Sequence, residues 1–373
     1  LFYNSIRLHL RADVPIGTGL SGGLDSSSIV CVINEILCEI GTEALQNTFS
    51  SCSEFSEYDE RPFIEEVVRQ TKVKTHYIFP SLDKLFEESE AIAWYQDEPY
   101  SSTSIYAEWN VYKTVAKTSV KATLEGHGAD ELFFGYPVFF KIYLQSLLAE
   151  GRVIQMIREF LKIRKVHGNH FQKVLVNGLK NLILGPGKTN YAFKPSWIKF
   201  SEYQNEENGP LKYLSNDKTA HNISRLQFLH TSLPSQLHWA DRSSMAHSVE
   251  CRVPYLDHRL VEFVLGCPDI YKIGNGITKR ILRESLKNKI PAKILKRTDK
   301  MGYVTPEEIW VKKEAPEAFM KAVQTALEQS NGVFNSDLVL KSASKIIFGT
   351  SPYDTALWRV ISFGTWMNRF FND

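Results

Sequence analysis

The chain has 373 residues, enough for one large or two ordinary domains with a well-buried core. Hydrophobic residues make up 43% and charged residues 23%, the balance of a soluble globular protein rather than a disordered or fibrous one. A formal net charge of +2 excludes nucleic-acid binding by bulk charge, and no apolar run approaches the ~20 residues of a membrane span.

The first residues, Leu1-Phe2-Tyr3-Asn4-Ser5-Ile6-Arg7, lack both an initiator Met and the layout of a secretion signal, so the chain is expected to be part of a longer protein. An apolar run at 14–20 reads as a strand. It leads into Ser21-Gly22-Gly23-Leu24-Asp25-Ser26-Ser27-Ser28, and a second apolar run follows at 29–33. A strand, a turn of small residues and a helix start are the parts of an anion site: glycines admit a ligand close to the backbone, and hydroxyls and first-turn N–H groups donate to it. An ordinary strand-to-helix turn uses the same residue types, but needs fewer of them than two glycines, an acid and four serines in eight positions. The Walker Lys and the spaced dinucleotide glycines are both missing. With no base in the turn, the charge of a polyphosphate must be met by amides, by a metal on Asp25, or by a distant Lys.

Further strands are predicted at 45–52, 75–79 and 121–125, and helices at 25–40, 60–71, 82–93 and 104–118. In the second helix Phe63, Val67 and Val68 recur at helical spacing, and Pro62 sits in the first turn, where a missing N–H costs nothing. Strand–helix alternation implies an α/β fold with a parallel sheet covered on both faces, and ligands bind such sheets at the carboxyl ends of the strands. The Ser21 loop, Ser50-Ser51 and the Gly126 loop are expected at one edge.

From about 137 to 230 the chain reads as a helical insertion, with basic helical stretches at 152–166 and 171–184, then Gly185-Pro186-Gly187 and a polar surface loop at 202–210. The apolar faces there read as core packing rather than a membrane surface. Beyond 225 the chain is mainly helical and ends in an aromatic-rich stretch at 358–371, compatible with a homodimer. Cys31, Cys38, Cys52, Cys251 and Cys267 form no C-x-x-C pair and read as thiols of a reducing cytoplasm.

A second loop, Leu124-Glu125-Gly126-His127-Gly128-Ala129-Asp130-Glu131, repeats the logic of the first. Asp130 and Glu131 read either as helix-capping acids or as functional ones. If Asp130 faces Asp25 across a cleft, the two make a hard oxygen site for Mg²⁺ bound to phosphates. At 237–257 the charges Asp241, Arg242, Glu250, Arg252 and Asp257 stand among apolar residues. Arg252 with Asp257 reads equally as a buried ion pair or as functional, and Arg242 is the better candidate for gripping a carboxylate. Lys279, read alone, is a solvated helix lysine or the cation that the first loop lacks.

The stretch SGGLDSS resembles the pyrophosphate loop of the ATP pyrophosphatases. In order, SGGLDSS, QDEPYSSTSIYAEW, EGHGADELFFGY, DRSSMAHSVECRVPYLDHRLVEF and TKRILRE look like the synthetase domain of glutamine-dependent asparagine synthetases, over nearly the whole chain. The resemblance implies a PP-loop (adenine-nucleotide α-hydrolase) sheet at about 1–136, a helical insertion at about 137–230 and helices completing the active site at about 231–373. It implies adenylation of the aspartate side chain by Mg-ATP, then attack by ammonia to give asparagine, AMP and pyrophosphate in the cytoplasm. Leu20, Ser21, Gly22, Gly23, Asp25 and Ser26 would bind ATP, with Ser50, Glu125 and Gly126 framing the nucleotide. Asp25 and Asp130 would hold magnesium and pyrophosphate, and Lys279 would steady the phosphates. Two departures stand out. The family's amino-terminal glutaminase domain is not part of this sequence, so it is expected either in a longer protein or in trans, or else the chain would work with free ammonia or another amine. His127 replaces the Gln or Glu of relatives, and would donate to an oxyanion or act as base on the amine. Amide-forming cyclases of the β-lactam synthetase and lasso-peptide type are the alternative, to be told apart around Tyr106, Trp109 and Glu250. A non-catalytic nucleotide-binding scaffold is the non-enzymatic one.

Overall fold

Strand β1 (Ile16–Gly19) is the middle of a sheet in which every pairing is parallel. The others are β2 (Asn47–Ser51), β3 (Lys74–Ile78), β4 (Ala122–Leu124) and β5 (Glu250–Arg252), in the spatial order β3-β2-β1-β4-β5. The structure is a computed structural model and describes residues 1–41, 46–71, 73–183, 197–198, 219–299, 301–349 and 351–372. The four strands expected from the sequence are present, with ends within two residues of those expected. The fifth was read as part of a charged constellation. It is only three residues long, and its signal is the alternation of Val249, Cys251 and Val253 with Glu250 and Arg252.

Helices α1 (Phe2–His9), α2 (Leu24–Glu39), α3 (Arg61–Thr71), α4 (Leu82–Gln96) and α5 (Ser104–Val115) accompany the first strands. Helix α2 is apolar on several sides, with Ile29, Val30, Val32 and Ile33 all buried, because it is packed among β1, α1 and α3. On the other side, Val111, Tyr112 and Val115 of α5 pack with Phe49, Val120 and Val249. The chain runs outward from β1 through β2 to β3, then crosses back to lay β4 against the free side of β1. Thr18 therefore pairs with both Thr48 and Leu124. The reversal at β1/β4 opens a crevice beyond the carboxyl ends of those strands, where both glycine loops emerge.

After β4 come α6 (Ala129–Phe133), α7 (Val138–Ala149), α8 (Val153–Ile183, broken at Gly168), α9 (Ala220–Leu229) and α10 (Ser232–Met245). Then follow α11 (His258–Gly266), α12 (Asp269–Lys272), α13 (Arg280–Ser285), α14 (Ala292–Lys296) and α15 (Glu307–Ile309). The last three are α16 (Pro316–Gln329), α17 (Ser336–Ile347) and α18 (Ala356–Phe371). These three share a core with α4, with Phe319, Val323, Trp358 and Ile361 at its centre. The loop expected at 185–187 and 202–210 lies outside the described residues.

One segment corrects the sequence reading of apolar runs. Residues Ala129–Ala149 are long and apolar enough, by length and composition, to cross a membrane. The segment is broken between α6 and α7, where Phe134 adopts a left-handed φ of 59°, and half of it is buried in the fold. It also carries Asp130 and Glu131, so its apolarity serves the core behind the crevice.

Candidate active site

The first loop is held open by its own side chains. Gly22 has φ +67°, and a Cβ there would lie 2.7 Å from Phe63 Cβ and 2.8 Å from the Ile64 nitrogen, so only glycine makes this turn. The Ser21 N–H donates to Ser26 Oγ at 3.2 Å, and the Gly23 N–H donates to Ser21 Oγ at 3.3 Å. Helix α2 starts with no side-chain cap. The beginning of its first turn, Leu24, Asp25 and Ser26, lines the crevice, an arrangement that favours an anion.

In the second loop the acidic pair divides its work. Glu131 Oε1 accepts hydrogen bonds from Tyr136, Ser232 and Gln236 and so ties α6 to α10. Asp130 faces the crevice. Neither side chain caps α6, whose N-cap is Gly128.

Lys279 joins the two loops. It is buried, adopts a left-handed φ of 54° at the start of α13, and its N–H donates to the Phe133 carbonyl at 3.1 Å. Its Nζ lies 2.5 Å from Asp25 Oδ2 and 2.7 Å from Asp130 Oδ1. Burial pushes its pKa down, opposed by the charge of Asp25. This is a desolvated ammonium clamped by two carboxylates, and not a solvated helix lysine.

The same carboxylates fit a magnesium ion. Asp25 Oδ1 is buried and has no hydrogen-bond partner among the described residues. No group of three or more His, Cys, Asp or Glu side chains that could hold a metal occurs among the described residues. A two-carboxylate site therefore suits an ion that takes its remaining ligands from phosphate and water, as Mg²⁺ does.

Beyond this centre the crevice opens to solvent, with residues of both glycine loops along its walls. Glu125 lines it, with its carboxyl pushed up to about 7 by burial and partly restored by hydrogen bonds involving Thr123, Tyr303 and Gly19. Behind it Glu108 is pushed up to about 8, first by burial and then by the charge of Glu125. His127 also lines the crevice, its Nε2 3.7 Å from Glu108 Oε1. A further wall, 297–299 and 301–304, was missed in the sequence because it carries no periodic signal. Its Arg297 is buried, 2.7 Å from Glu60 Oε1 and 3.9 Å above the Phe63 ring, so this wall is fastened to the residue that supports Gly22. Arg283 lines the crevice too, and its side chain donates to the carbonyls of Thr278, Leu295 and Arg297.

Leu20, Ser21, Gly23, Asp25, Ser26, Glu125, Gly126, His127, Asp130 and Lys279 all line this one crevice. Other expected residues do not. Ser50 turns away and its Oγ donates to the Leu20 carbonyl at 2.6 Å, while Phe49 and Ser51, on the opposite face of the strand, line the crevice. Gly22 shapes the turn from behind. Arg242 lies in the last turn of α10, half exposed and paired with Asp97 at 2.8 Å, away from the lining residues. The Arg252–Asp257 pair does not form: Arg252 binds Glu250 and the His9 and Arg11 carbonyls, and Asp257 caps α11 and holds Arg259. Tyr106, Trp109 and Glu250 are also outside the crevice. Tyr106 donates to the Ser81 carbonyl, Trp109 packs on His247, and Glu250 is exposed beside Arg252. All five cysteines are free, and burial pushes Cys31 and Cys52 up to about 12, which leaves inert thiols.

Comparison with known proteins agrees with this geometry. An asparagine synthetase (glutamine-hydrolyzing) of Bacillus subtilis is 28% identical over 98% of this chain and 57% of its own length. A second from the same organism is 27% identical over 80% of this chain and 46% of its own. A Gibberella zeae protein named amidase chry2 is 23% identical over 82% of this chain and 51% of its own. The chain thus spans about half the length of these relatives. The family model described as asparagine synthase matches residues 1–368, and with the two loops and the lysine gathered in one crevice, the chain belongs to the asparagine synthase family.

Proposed function

We propose that this chain forms an amide bond by adenylating a carboxylate with ATP and then passing the acyl group to an amine. Aspartate is the carboxylate and ammonia the amine, so the products are asparagine, AMP and pyrophosphate. The ammonia comes from a glutamine-hydrolysing partner, in the same polypeptide or in trans. The five free cysteines suit a reducing cytoplasm. The observation that carries the reading is Lys279 Nζ within 2.7 Å of carboxylates from both glycine loops.

In this reading the first-turn amides of α2 and the hydroxyls of Ser21 and Ser26 hold the polyphosphate. A carboxylate oxygen of the substrate attacks the α-phosphorus, the bond to the β-phosphate oxygen breaks, and pyrophosphate leaves with the electron pair. Asp25 and Asp130 would hold the magnesium ion, whose chemistry is neutralisation of pyrophosphate charge. Lys279 sits where its ammonium can move from the carboxylates to the oxygens that gain charge at the α-phosphorus. Glu125 and Gly126, directly after β4 at its carboxyl end, frame the nucleotide.

Incubation with ATP, Mg²⁺, aspartate and ammonium chloride tests the proposal. Stoichiometric AMP, pyrophosphate and asparagine are expected. Release of ADP and inorganic phosphate would overturn it, because cleavage would then have occurred at the γ-phosphorus.

A further inference from the structure

Of helix α10, Gln236 alone lines the crevice. Its amide nitrogen donates to Ser232 Oγ at 2.7 Å, to Glu131 Oε1 at 2.9 Å and to Tyr136 Oη at 3.0 Å. The Ser232 and Tyr136 hydroxyls donate their own protons to Glu131 Oε1, at 2.7 and 2.6 Å, and so meet the amide as acceptors. A nest of acceptors admits the nitrogen of the amide and not its oxygen, which fixes the side chain's orientation and turns Oε1 away from the network. That oxygen has no hydrogen-bond partner among the described residues, yet it is not sealed in the interior as the oxygens of Gln46, Gln96 and Gln227 are. It is an accessible acceptor on a crevice wall. The network that aims it belongs to the second loop. Glu131 directly follows Asp130, and Tyr136 follows Gly135, whose backbone packs against Asp130 and Lys279. No member comes from residues 20–26, the phosphate side of the crevice.

We propose that Gln236 selects the acid to be adenylated, by accepting a hydrogen bond from its α-ammonium group. The inference rests on the adenylation reading given above and names the substrate class, an amino acid rather than a plain dicarboxylic acid. A carbonyl oxygen held as an acceptor suits an N–H donor, and a cationic donor makes the stronger, charge-assisted bond. The bonds that Nε2 makes to its acceptors polarise the amide and add to the negative charge on Oε1. An acid without the ammonium leaves this oxygen stripped of water and unpaired once it fills the crevice. Ammonia entering for the second step is an N–H donor too, and the test separates it from the α-ammonium.

The probes are aspartate and succinate, which is aspartate without its amine. ATP–pyrophosphate exchange gives the KM for aspartate, inhibition of that exchange gives the Ki of succinate, and asparagine formed from ammonium chloride gives the KM for ammonium. In Gln236→Met the KM for aspartate rises roughly 10- to 100-fold, while the Ki of succinate and the KM for ammonium stay within about twofold of wild type. Gln236→Asn keeps the amide but draws its oxygen back by a methylene, and gives an intermediate loss. It carries the test if thermal unfolding shows the Met variant to be misfolded. Equal losses for aspartate and succinate would make the residue structural and overturn the assignment. A raised KM for ammonium with exchange intact would overturn it too, because the oxygen would then serve the nucleophile. Absence of exchange in the wild-type chain would instead remove the adenylation reading on which the inference rests.

Discussion

Lys279 Nζ lies 2.5 Å from Asp25 Oδ2, although 254 positions separate the two residues in the chain. The contact crosses from the first glycine loop to the start of α13, and the same ammonium reaches Asp130 in the second loop. Three segments of the chain are thus locked to one charge, and removing that charge has two separate consequences.

Lys279→Ala is expected to lower turnover by roughly 10²- to 10³-fold with only a modest change in ATP affinity, since the ammonium acts on charge that develops during the reaction. It also leaves Asp25 and Asp130 buried without their cation. Thermal unfolding of the variant should therefore respond to added Mg²⁺ more strongly than that of wild type. A loss confined to ATP affinity would make the residue a binder only, and an unchanged response to Mg²⁺ would argue against the two-carboxylate site.

Asp25→Asn and Asp130→Asn preserve shape and remove charge. Each should reduce AMP release by at least ~10²-fold while circular dichroism stays that of the folded protein. Wild-type turnover in either variant, at saturating Mg-ATP, would reject these two residues as ion ligands.

Two glycines keep the charged groups where they are. A Cβ on Gly19 would collide with the Glu125 carboxyl, and one on Gly135 would collide with Asp130 Oδ1 and Lys279 Cε. Gly19→Ala should cost about 1–3 kcal/mol of stability and weaken ATP binding, read from denaturant unfolding and from the ATP-induced rise in Tm. Gly135→Ala should instead part Lys279 from Asp130 and lower kcat by ~10²-fold, because a displacement of this size spoils the alignment of reacting groups. Equal effects of both substitutions on ATP binding would contradict this division.

Stability should fall as the pH rises from about 5 to above 8. Burial raises Glu108 to about 8 and Glu125 to about 7 from the ordinary 4.5, so in this window the folded state holds protons that the unfolded chain has released. Their contribution is fully present below 4.5 and is lost as the pH climbs to the folded values. Glu108→Gln removes one of these protons from the balance. It should raise stability at pH 8.5 by on the order of 3 kcal/mol and change it little at pH 4.5. Unfolding curves at the two pH values check this, and parallel pH slopes for variant and wild type would rule it out.

The local grammar of the chain was sufficient for much of this protein. Apolar runs ending in small residues announced β1 and β4 and the loops behind them, and helical spacing announced α2 to α5. Nine crevice-lining residues of the two loops were legible as candidates, from the chemistry of glycines, hydroxyls and acids at strand-to-helix junctions together with the family resemblance, which also singled out Lys279. What tertiary structure decided was direction and company. Ser50 and Ser51 differ only in which face of β2 they occupy. Arg242 is as good a carboxylate grip as any arginine, yet the path of α10 turns it to Asp97. Glu108, the Arg297 wall and strand β5 gave little or no local signal. A single buried acid on an apolar helix, a loop without period and a three-residue edge strand acquire meaning only from what packs beside them, and sequence spacing does not encode contacts across hundreds of positions.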